Sequence, residues 1–150
     1  MRKKMIVGSV LLMMLLLVCG CVPKTFVKSA PGWKVIELRN DLKEDYPKAW
    51  QTTVDSIARN WDIEIMDKDS GYLRTAWTYG ISGGQHHRYR GRLTVKYPDG
   101  QHSEKLELKT DAQWAENVYY GFWIEGYDTS FNRDVYGTLS GRLGRTVPNK

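Results

Sequence analysis

Two runs of alternating apolar and polar residues, joined by a tight-turn sequence, constrain the fold of this 150-residue chain most. Apolar side chains lie at alternating positions in residues 89–97, and residues 102–110 repeat the pattern. Such alternation is typical of strands with one buried face. The turn is Pro98-Asp99-Gly100, in which proline fixes φ and glycine accepts a left-handed backbone. The sequence therefore predicts a β-hairpin over residues 89–110.

A helical pattern over residues 45–61 precedes this hairpin. Five apolar residues recur at steps of three and four, which is the stripe of a helix buried along one face. They are Tyr46, Trp50, Val54, Ile57 and Trp61. Asp45 is the expected N-cap, and Pro47 is compatible with the first turn. We expect the stripe to belong to the core rather than to form a ligand platform.

Three shorter strands are predicted around this helix. The first covers residues 33–39, and the second covers residues 62–66. Residues 72–79 alternate again and follow a turn sequence that ends in Gly71, where glycine can take a positive φ. The sequence therefore predicts a second hairpin over residues 62–79.

A second helix is predicted near the C-terminus, with Thr129 or Ser130 as its N-cap. Its apolar residues recur at steps of four, and they are Phe131, Val135, Leu139 and Leu143. Each glycine in a helix costs about 1 kcal/mol relative to alanine, yet this helix carries a second stripe made of Gly137, Gly141 and Gly144. The glycine stripe indicates either a smooth face that another element approaches closely or a marginal, frayed helix.

These elements predict one α+β domain over residues 32–150. Its antiparallel sheet has four to five strands packed against two helices, in the order β-α-β-β-β-β-α. Residues 112–127 are rich in aromatic side chains without a clean period. They are expected to begin as the end of a strand and to continue as a long loop or a short extra strand, and they either cover the sheet or form an exposed contact patch. The residues of this candidate interaction patch are Trp114, Tyr119, Tyr120, Phe122 and Trp123.

Residues 1–20 have the organisation of a secretory signal peptide. Arg2, Lys3 and Lys4 precede an apolar run over residues 5–18. The run is too short to span a bilayer stably, since a transmembrane helix needs about 20 apolar residues. An ordinary cleaved signal and an uncleaved anchor are both compatible with this segment.

The run ends in Val18-Cys19-Gly20-Cys21, which resembles the lipobox of bacterial lipoproteins. In that class a small residue precedes a cysteine that receives a diacylglyceryl group, is cleaved on its amino side and is then N-acylated. Cys21 follows the small Gly20, whereas Cys19 follows the bulky Val18. Cys21 is therefore the predicted lipid attachment site. Two or three acyl chains, at roughly 0.8 kcal/mol per buried CH₂, make such an anchor effectively permanent.

The lipobox resemblance implies that residues 21–31 form a lipidated tether and that the domain faces the periplasm from the outer membrane. Val22 fits that location, because an aspartate after the lipidated cysteine is the usual signal for inner-membrane retention. Removing residues 1–20 from 150 leaves 130, and loss of their three cations lowers the formal charge from +5 to +2. No block rich in Lys and Arg remains, so nucleic acid is not an expected partner.

The sequence offers no convincing constellation for catalysis or metal binding. His86 and His87 lie in a glycine-rich loop, and His102 lies fifteen positions after His87, without the spacing of a metal site. The loop lacks the ending of a phosphate loop. Residues 80–84 read Gly-Ile-Ser-Gly-Gly, but no helix is predicted to start after them, so this G-x-S-x-G spacing does not form the elbow that fixes a Ser-His-Asp triad. We therefore expect no enzyme activity, no metal and no cofactor.

Arg88, Arg90 and Arg92 form a basic row on one face of a predicted strand. The row is either a solvated face, neutralised across the hairpin by Glu104 and Glu107, or an unpaired surface. In the second case it would attract anionic partners or lipid head groups.

Residues 46–79 combine an aromatic-bearing helix, the run Trp61-Asp-Ile-Glu-Ile, a D-K-D-S-G turn and the run Tyr-Leu-Arg-Thr-Ala-Trp. This combination is similar to the repeated module of BamC-type lipoproteins, and the chain has room for one such module. The resemblance implies a helix-grip-like fold, in which an antiparallel sheet curls against a long terminal helix. It also implies an accessory role in the assembly of outer-membrane β-barrels.

The sequence therefore predicts a membrane-anchored periplasmic lipoprotein that binds another envelope protein and catalyses nothing. Docking would use the aromatic patch or main-chain pairing at a sheet edge. The alternative is a lipoprotein that binds a small ligand or a glycan through an aromatic-lined sheet face.

Overall fold

The computed structural model describes residues 22–83, 87–115 and 121–145. Within these residues the chain forms an antiparallel sheet and a layer of helices. The eight strands are β1 (Phe26–Val27), β2 (Lys34–Glu37), β3 (Ile63–Asp67), β4 (Tyr72–Thr75), β5 (Thr78–Tyr79), β6 (Tyr89–Lys96), β7 (Lys105–Ala115) and β8 (Trp123–Asp128). The three helices are α1 (Asn40–Lys43), α2 (Tyr46–Ala58) and α3 (Thr129–Leu143). Short 3₁₀ turns cover Ile81–Gly83 and Gly100–His102.

The predicted α+β class and antiparallel sheet are confirmed, but the predicted numbers of strands and helices are wrong. The described residues form eight strands rather than four to five, and three helices rather than two. Strand β1 has two residues, and α1 is a single turn of four. Such short elements cannot display a hydrophobic period. The predicted strand over residues 72–79 is divided into β4 and β5, and β8 lies in the segment without periodicity.

Strands β6 and β7 organise the sheet, because each of them pairs with three neighbours. The strand order is β1-β8-β7-β6-β4-β3, and β5 also pairs with β6. Residues 105–108 of β7 pair with β2, residues 112–115 pair with β8, and residues 107–114 pair with β6. The predicted hairpin of β6 and β7 is confirmed, with Gly100 at a φ of +57° in its turn.

The predicted hairpin of β3 and β4 is also confirmed, and Gly71 completes its turn with a φ of +67°. A Cβ on Gly71 would lie 2.8 Å from the Cβ of Tyr97, so both the backbone conformation and the close approach require glycine here. The Asp67 carboxylate accepts hydrogen bonds from the backbone N–H groups of Asp69 and Ser70, at 3.1 and 3.2 Å. These bonds fix the turn.

The helices cover one face of the sheet and enclose an apolar core. All five residues of the predicted stripe belong to this core or pack against it: Tyr46, Trp50, Val54, Ile57 and Trp61. Helix α2 ends at Ala58, so Trp61 lies beyond the helix rather than on it. Asp45 is the N-cap of α2, as predicted, and accepts the Lys48 N–H at 3.0 Å. Tyr97 connects the layers, since its ring packs edge-on against that of Tyr46.

Helix α3 buries its predicted apolar stripe of Phe131, Val135, Leu139 and Leu143 in the same core. Its N-cap is Asp128 rather than Thr129 or Ser130, because the Asp128 carboxylate accepts the Phe131 N–H at 2.6 Å. The glycine stripe receives no other element along most of its length. No described atom outside the helix backbone lies within 4 Å of a Cβ placed on Gly137 or Gly141. Of the two alternatives for the glycine stripe, the close approach of another element is therefore wrong at these two glycines.

The N-terminal part of the described chain contributes to the sheet. Phe26 and Val27 pair with Asp128 and Tyr127 of β8. The segment over residues 21–31 that the sequence assigned to a tether therefore contains a strand. The predicted lipid attachment site, Cys21, and the predicted signal peptide, residues 1–20, lie outside the described residues.

Candidate functional site

None of the described helices covers the second face of the sheet, which we call the open face. Side chains alternate between the two faces along a strand. In β6, the fully buried residues Tyr89, Leu93 and Val95 point into the core. The charged side chains between them, and those opposite them on β7, belong to the open face: Arg90, Arg92, Lys96, Glu107, Lys109 and Asp111.

Four side chains of the open face form alternating layers of indole rings and guanidinium groups, which we call the Trp–Arg stack (Trp123, Arg90, Trp77 and Arg92). The Arg90 Cζ lies 3.9 Å from the ring centroid of Trp123 and 4.8 Å from that of Trp77. The Arg92 Cζ lies 4.4 Å from the Trp77 centroid. Each such contact contributes about 0.5–1 kcal/mol at an exposed site. The stack connects β6 with β8 and with the segment between β4 and β5.

Arg90 is also oriented by hydrogen bonds. Its Nε and Nη2 donate to Gln113 Oε1 at 2.9 and 2.7 Å, and its Nη1 donates to the Tyr79 hydroxyl at 3.0 Å. Three of the five guanidinium N–H donors are therefore used. Among the described residues, no carboxylate oxygen lies within 4.0 Å of the Arg90 guanidinium. Aromatic rings and an amide oxygen, rather than an acid, surround this charge.

Other cations of the open face are paired with acids. Arg92 contacts Asp111 at 3.2 Å, and Lys96 contacts Glu107 at 3.0 Å. The expected neutralisation of the arginine row by Glu104 and Glu107 is wrong for Arg92, because the register of β6 and β7 places Asp111 opposite it. Glu104 instead contacts Lys43.

The structure separates the residues of the predicted interaction patch. Trp114 is 1% exposed and faces the core, because it continues the inward alternation of β7. Its assignment to an exposed patch is therefore wrong. Trp123 is half-buried on the open face, and Phe122 is 76% exposed. Tyr119 and Tyr120 lie outside the described residues.

Two aromatic residues of the open face were not identified from the sequence. The alternation of residues 72–79 assigned Trp77 to the same side as the buried Leu73, but β4 ends at Thr75 and the Trp77 ring lies on the open face. The second is Trp33, whose ring centroid lies 4.4 Å from the ammonium nitrogen of Lys96 on the open face. Alternating cations on β6 and β7 were a signal of a solvent-facing sheet surface, but they did not indicate which rings would cover them.

A cavity of about 390 Å³ lies on the open face beneath residues 28–31. Groups of both charge signs converge in its wall, together with one indole ring. The principal lining residues are Trp77, Arg92, Lys109, Asp111, Gln113 and Glu125.

Asp128 is a buried carboxylate where β8 meets α3. It accepts hydrogen bonds from the Ser82 hydroxyl and the Phe131 N–H, both at 2.6 Å, and from the hydroxyls of Thr25 and Tyr89. Burial raises the pKa of Asp128, but these hydrogen bonds outweigh burial and hold the pKa below its ordinary value. Burial, followed by the bond to Asp128, raises the pKa of Tyr89. A carboxylate whose four lone-pair sites are engaged is suited to fixing structure rather than to accepting a substrate proton.

Within residues 22–83, 87–115 and 121–145, no group of three or more His, Cys, Asp and Glu side chains is arranged to hold a metal ion. His87 and His102 lie beyond opposite ends of β6, and His86 lies outside the described residues. Across the same part of the chain, no helix has the length and apolar character needed to cross a bilayer.

No protein-family model matches the chain, and no curated protein matches it significantly. The resemblances to the lipobox and to BamC-type modules therefore stay predictions from the sequence. The open face, with its Trp–Arg stack and its cavity, is the candidate functional site on geometric grounds.

Proposed function

We propose that this protein is a membrane-anchored periplasmic lipoprotein that acts as a non-catalytic interaction or assembly factor in the cell envelope. Lipid on Cys21 attaches it to the outer membrane, and an envelope protein binds its open face. The proposal involves no metal, cofactor or nucleic acid. A helix-grip-like description of the fold belongs to the same proposal, and the packing of the 15-residue terminal helix α3 against the sheet supports it.

The Trp–Arg stack is the observation that carries this proposal. Trp and Arg are the residue types most often found at the energetic centres of protein interfaces. Gln113 and Tyr79 orient the Arg90 guanidinium in the free protein. A partner would therefore pay little entropy to order it. Phe122 directly precedes Trp123 and adds an apolar surface that is 76% exposed.

The anchor is tested by substituting Cys21→Ser in the full chain. We expect the wild type to carry the mass of its acyl groups and to partition into the detergent phase, because the thiol of Cys21 is the lipid acceptor. Intact-mass spectrometry and detergent partition of Cys21→Ser should show neither property. Cys19→Ser is the matched control and should behave as the wild type. An unmodified wild type that remains in the aqueous phase would contradict the anchor.

The docking surface is tested by substituting Trp123→Ala, with cross-linking and mass spectrometry on the membrane fraction. We expect one reproducible envelope partner for the wild type and a loss of about tenfold or more in its yield for Trp123→Ala, because hot-spot truncations cost 2 kcal/mol or more. Tyr120→Ala tests the other half of the predicted patch. Met66→Ala, at a position 57% exposed on β3, is the control. If the Trp123→Ala variant is folded and the cross-linked yield of the partner is unchanged, the open face is excluded as the docking surface.

A second candidate function is the binding of a small ligand or a glycan, which the cavity on the open face favours. Its mixed charges provide polar groups that can bond to sugar hydroxyls, and the Trp77 ring, whose faces contact Arg90 and Arg92, adds an apolar edge to its wall. Titration of the full chain with neutral hexoses and uronic acids should then change the tryptophan fluorescence. Trp77→Ala should abolish the change, whereas Trp61→Phe, on the core side, should retain it. No response in the wild type would exclude these ligands.

A further inference from the structure

The described chain is fixed to the domain from Thr25 onwards. The Thr25 hydroxyl donates to the buried Asp128 carboxylate, and the Thr25 carbonyl accepts the Thr129 N–H at 2.9 Å. The next residue, Phe26, pairs with Asp128 in the sheet. A side-chain bond, a main-chain bond and a strand pair therefore hold this point of the chain. We call this set of contacts the Thr25 clamp.

The chain before the clamp is folded back rather than extended. The Phe26 N–H donates to the Pro23 carbonyl at 2.9 Å, which closes a four-residue turn. Such a turn brings the Cα atoms of its first and last residues within about 7 Å of each other. Two further Cα steps of about 3.8 Å each separate Pro23 from Cys21. Only two peptide units join the turn at Pro23 to the residue proposed to carry the lipid, so the length of the chain limits how far the domain can lie from the anchor.

We infer that the Thr25 clamp holds the domain directly against the lipid head groups instead of on a long tether. This inference rests on the proposed lipid attachment at Cys21. The surface that meets the bilayer surrounds the clamp and contains the turn at Pro23, the exposed Ser82 and the start of α3. Lys24, exposed in that turn, places a cation at the depth of the lipid phosphates, where each such charge is favourable.

The opposite end of the domain is defined by the same contacts. Tyr89 bonds to Asp128 beside the clamp, and β6 runs away from it to Lys96. Seven steps of an antiparallel strand span about 24 Å, and the turn at Asp99 lies beyond them. Asp99 and Ser130 therefore mark the far and near ends of the domain relative to the proposed membrane surface.

The experiment uses the full chain, acylated and reconstituted into vesicles that contain an acceptor fluorophore on the lipid head groups. Ser130→Cys and Asp99→Cys are labelled with a donor fluorophore, since the thiol of an acylated Cys21 does not react. We expect energy transfer to be about twofold or more higher from position 130 than from position 99. A Gly/Ser insertion of about ten residues between Lys24 and Thr25 leaves the clamp intact and should remove this difference.

Three results would overturn the inference, and they are distinguishable. Equal transfer from the two positions in acylated protein would show that the domain moves freely above the bilayer, and the proposed function would stand. Absence of acyl mass would remove the proposed lipid attachment and the inference together. Persistence of the twofold difference after the insertion would assign the orientation to other contacts and would also overturn a role for the clamp.

Discussion

The sheet around β6 and β7 has two faces that are stabilised by different interactions. On the covered face, Leu93 and Trp114 are almost fully excluded from water and pack in an apolar core. On the open face, Arg90 and Trp123 form defined contacts while remaining partly accessible to solvent. The covered face is stabilised mainly by the burial of apolar surface, which contributes about 25 cal/mol per Å². The open face is stabilised mainly by cation–π contacts and ion pairs, each of which contributes about 1 kcal/mol or less.

This difference separates stability from recognition within one sheet. Substitutions on the covered face should change the free energy of unfolding, because they leave cavities that the sheet cannot fill. Substitutions on the open face should change the binding of a partner with little effect on folding. The following three substitutions test this separation.

The largest effect is expected for Trp114→Ala. Trp114 is 1% exposed, so its truncation should lower the free energy of unfolding. The expected loss is about 3–5 kcal/mol, since a large cavity replaces the indole. Chemical denaturation followed by circular dichroism measures it. Phe122→Ala is the matched control from the same aromatic segment and should change stability by no more than about 0.5 kcal/mol. Comparable losses in the two variants would contradict the assigned faces.

Asp128→Asn should lower the free energy of unfolding by about 1–3 kcal/mol at neutral pH, because the amide presents donors to groups that donate to the carboxylate. The lowered pKa of Asp128 in the folded state sets the pH dependence. Its contribution is complete above the unfolded-state pKa of about 3.9 and is lost as the pH falls through the lower folded-state value.

Unfolding curves of the wild type and Asp128→Asn from neutral to acid pH measure this dependence. The difference in free energy between them should shrink as the carboxylate becomes protonated. If this difference in the free energy of unfolding stays constant down to acid pH, the four donors do not stabilise the charge of Asp128. Asp45→Asn, at the cap of α2, is the control for losing a carboxylate at a helix N-terminus.

Arg90→Lys should have the smallest effect on folding. The ammonium keeps the charge but lacks the planar group that stacks between Trp77 and Trp123. We expect stability to fall by no more than about 1 kcal/mol, while cross-linking to the envelope partner falls as far as in Trp123→Ala. Arg74→Lys, which keeps its pairing with Glu64, should retain binding. A large loss of stability without a loss of binding would make the stack purely structural.

Much of the fold could be predicted because its longer elements carry complete hydrophobic periods. The stripe on α2 and the alternation in β6 each extend over several repeats. The parts that were missed or left open between a loop and a strand lack such repeats. In β8 the core positions are Ile124, Gly126 and the polar Asp128, so the strand shows no apolar alternation. Strand β1 depends on pairing with residues about a hundred positions away.

The candidate site was less predictable because its residues meet only through the tertiary fold. The arginine row and Trp123 were noted separately, but Trp77 lies 46 positions before Trp123 and contacts it through Arg90. The burial of Trp114 had a local signal that was not used. In β7 the side chains at even-numbered positions face the core, as Leu106, Leu108 and Ala112 show. Extending that alternation to residue 114 assigns the indole to the core.

The central claim is that a partner binds the open face while the helix layer stays free. The most direct measurement is photo-cross-linking in intact cells from a reactive residue placed at Tyr79 on the open face or at Gly141 on the outside of α3. At Gly141 no described atom beyond the helix backbone lies within 4 Å of a Cβ. We predict that one envelope protein is cross-linked from position 79 and not from position 141. Cross-linking of that protein from position 141 alone, or equally from both positions, would contradict the account.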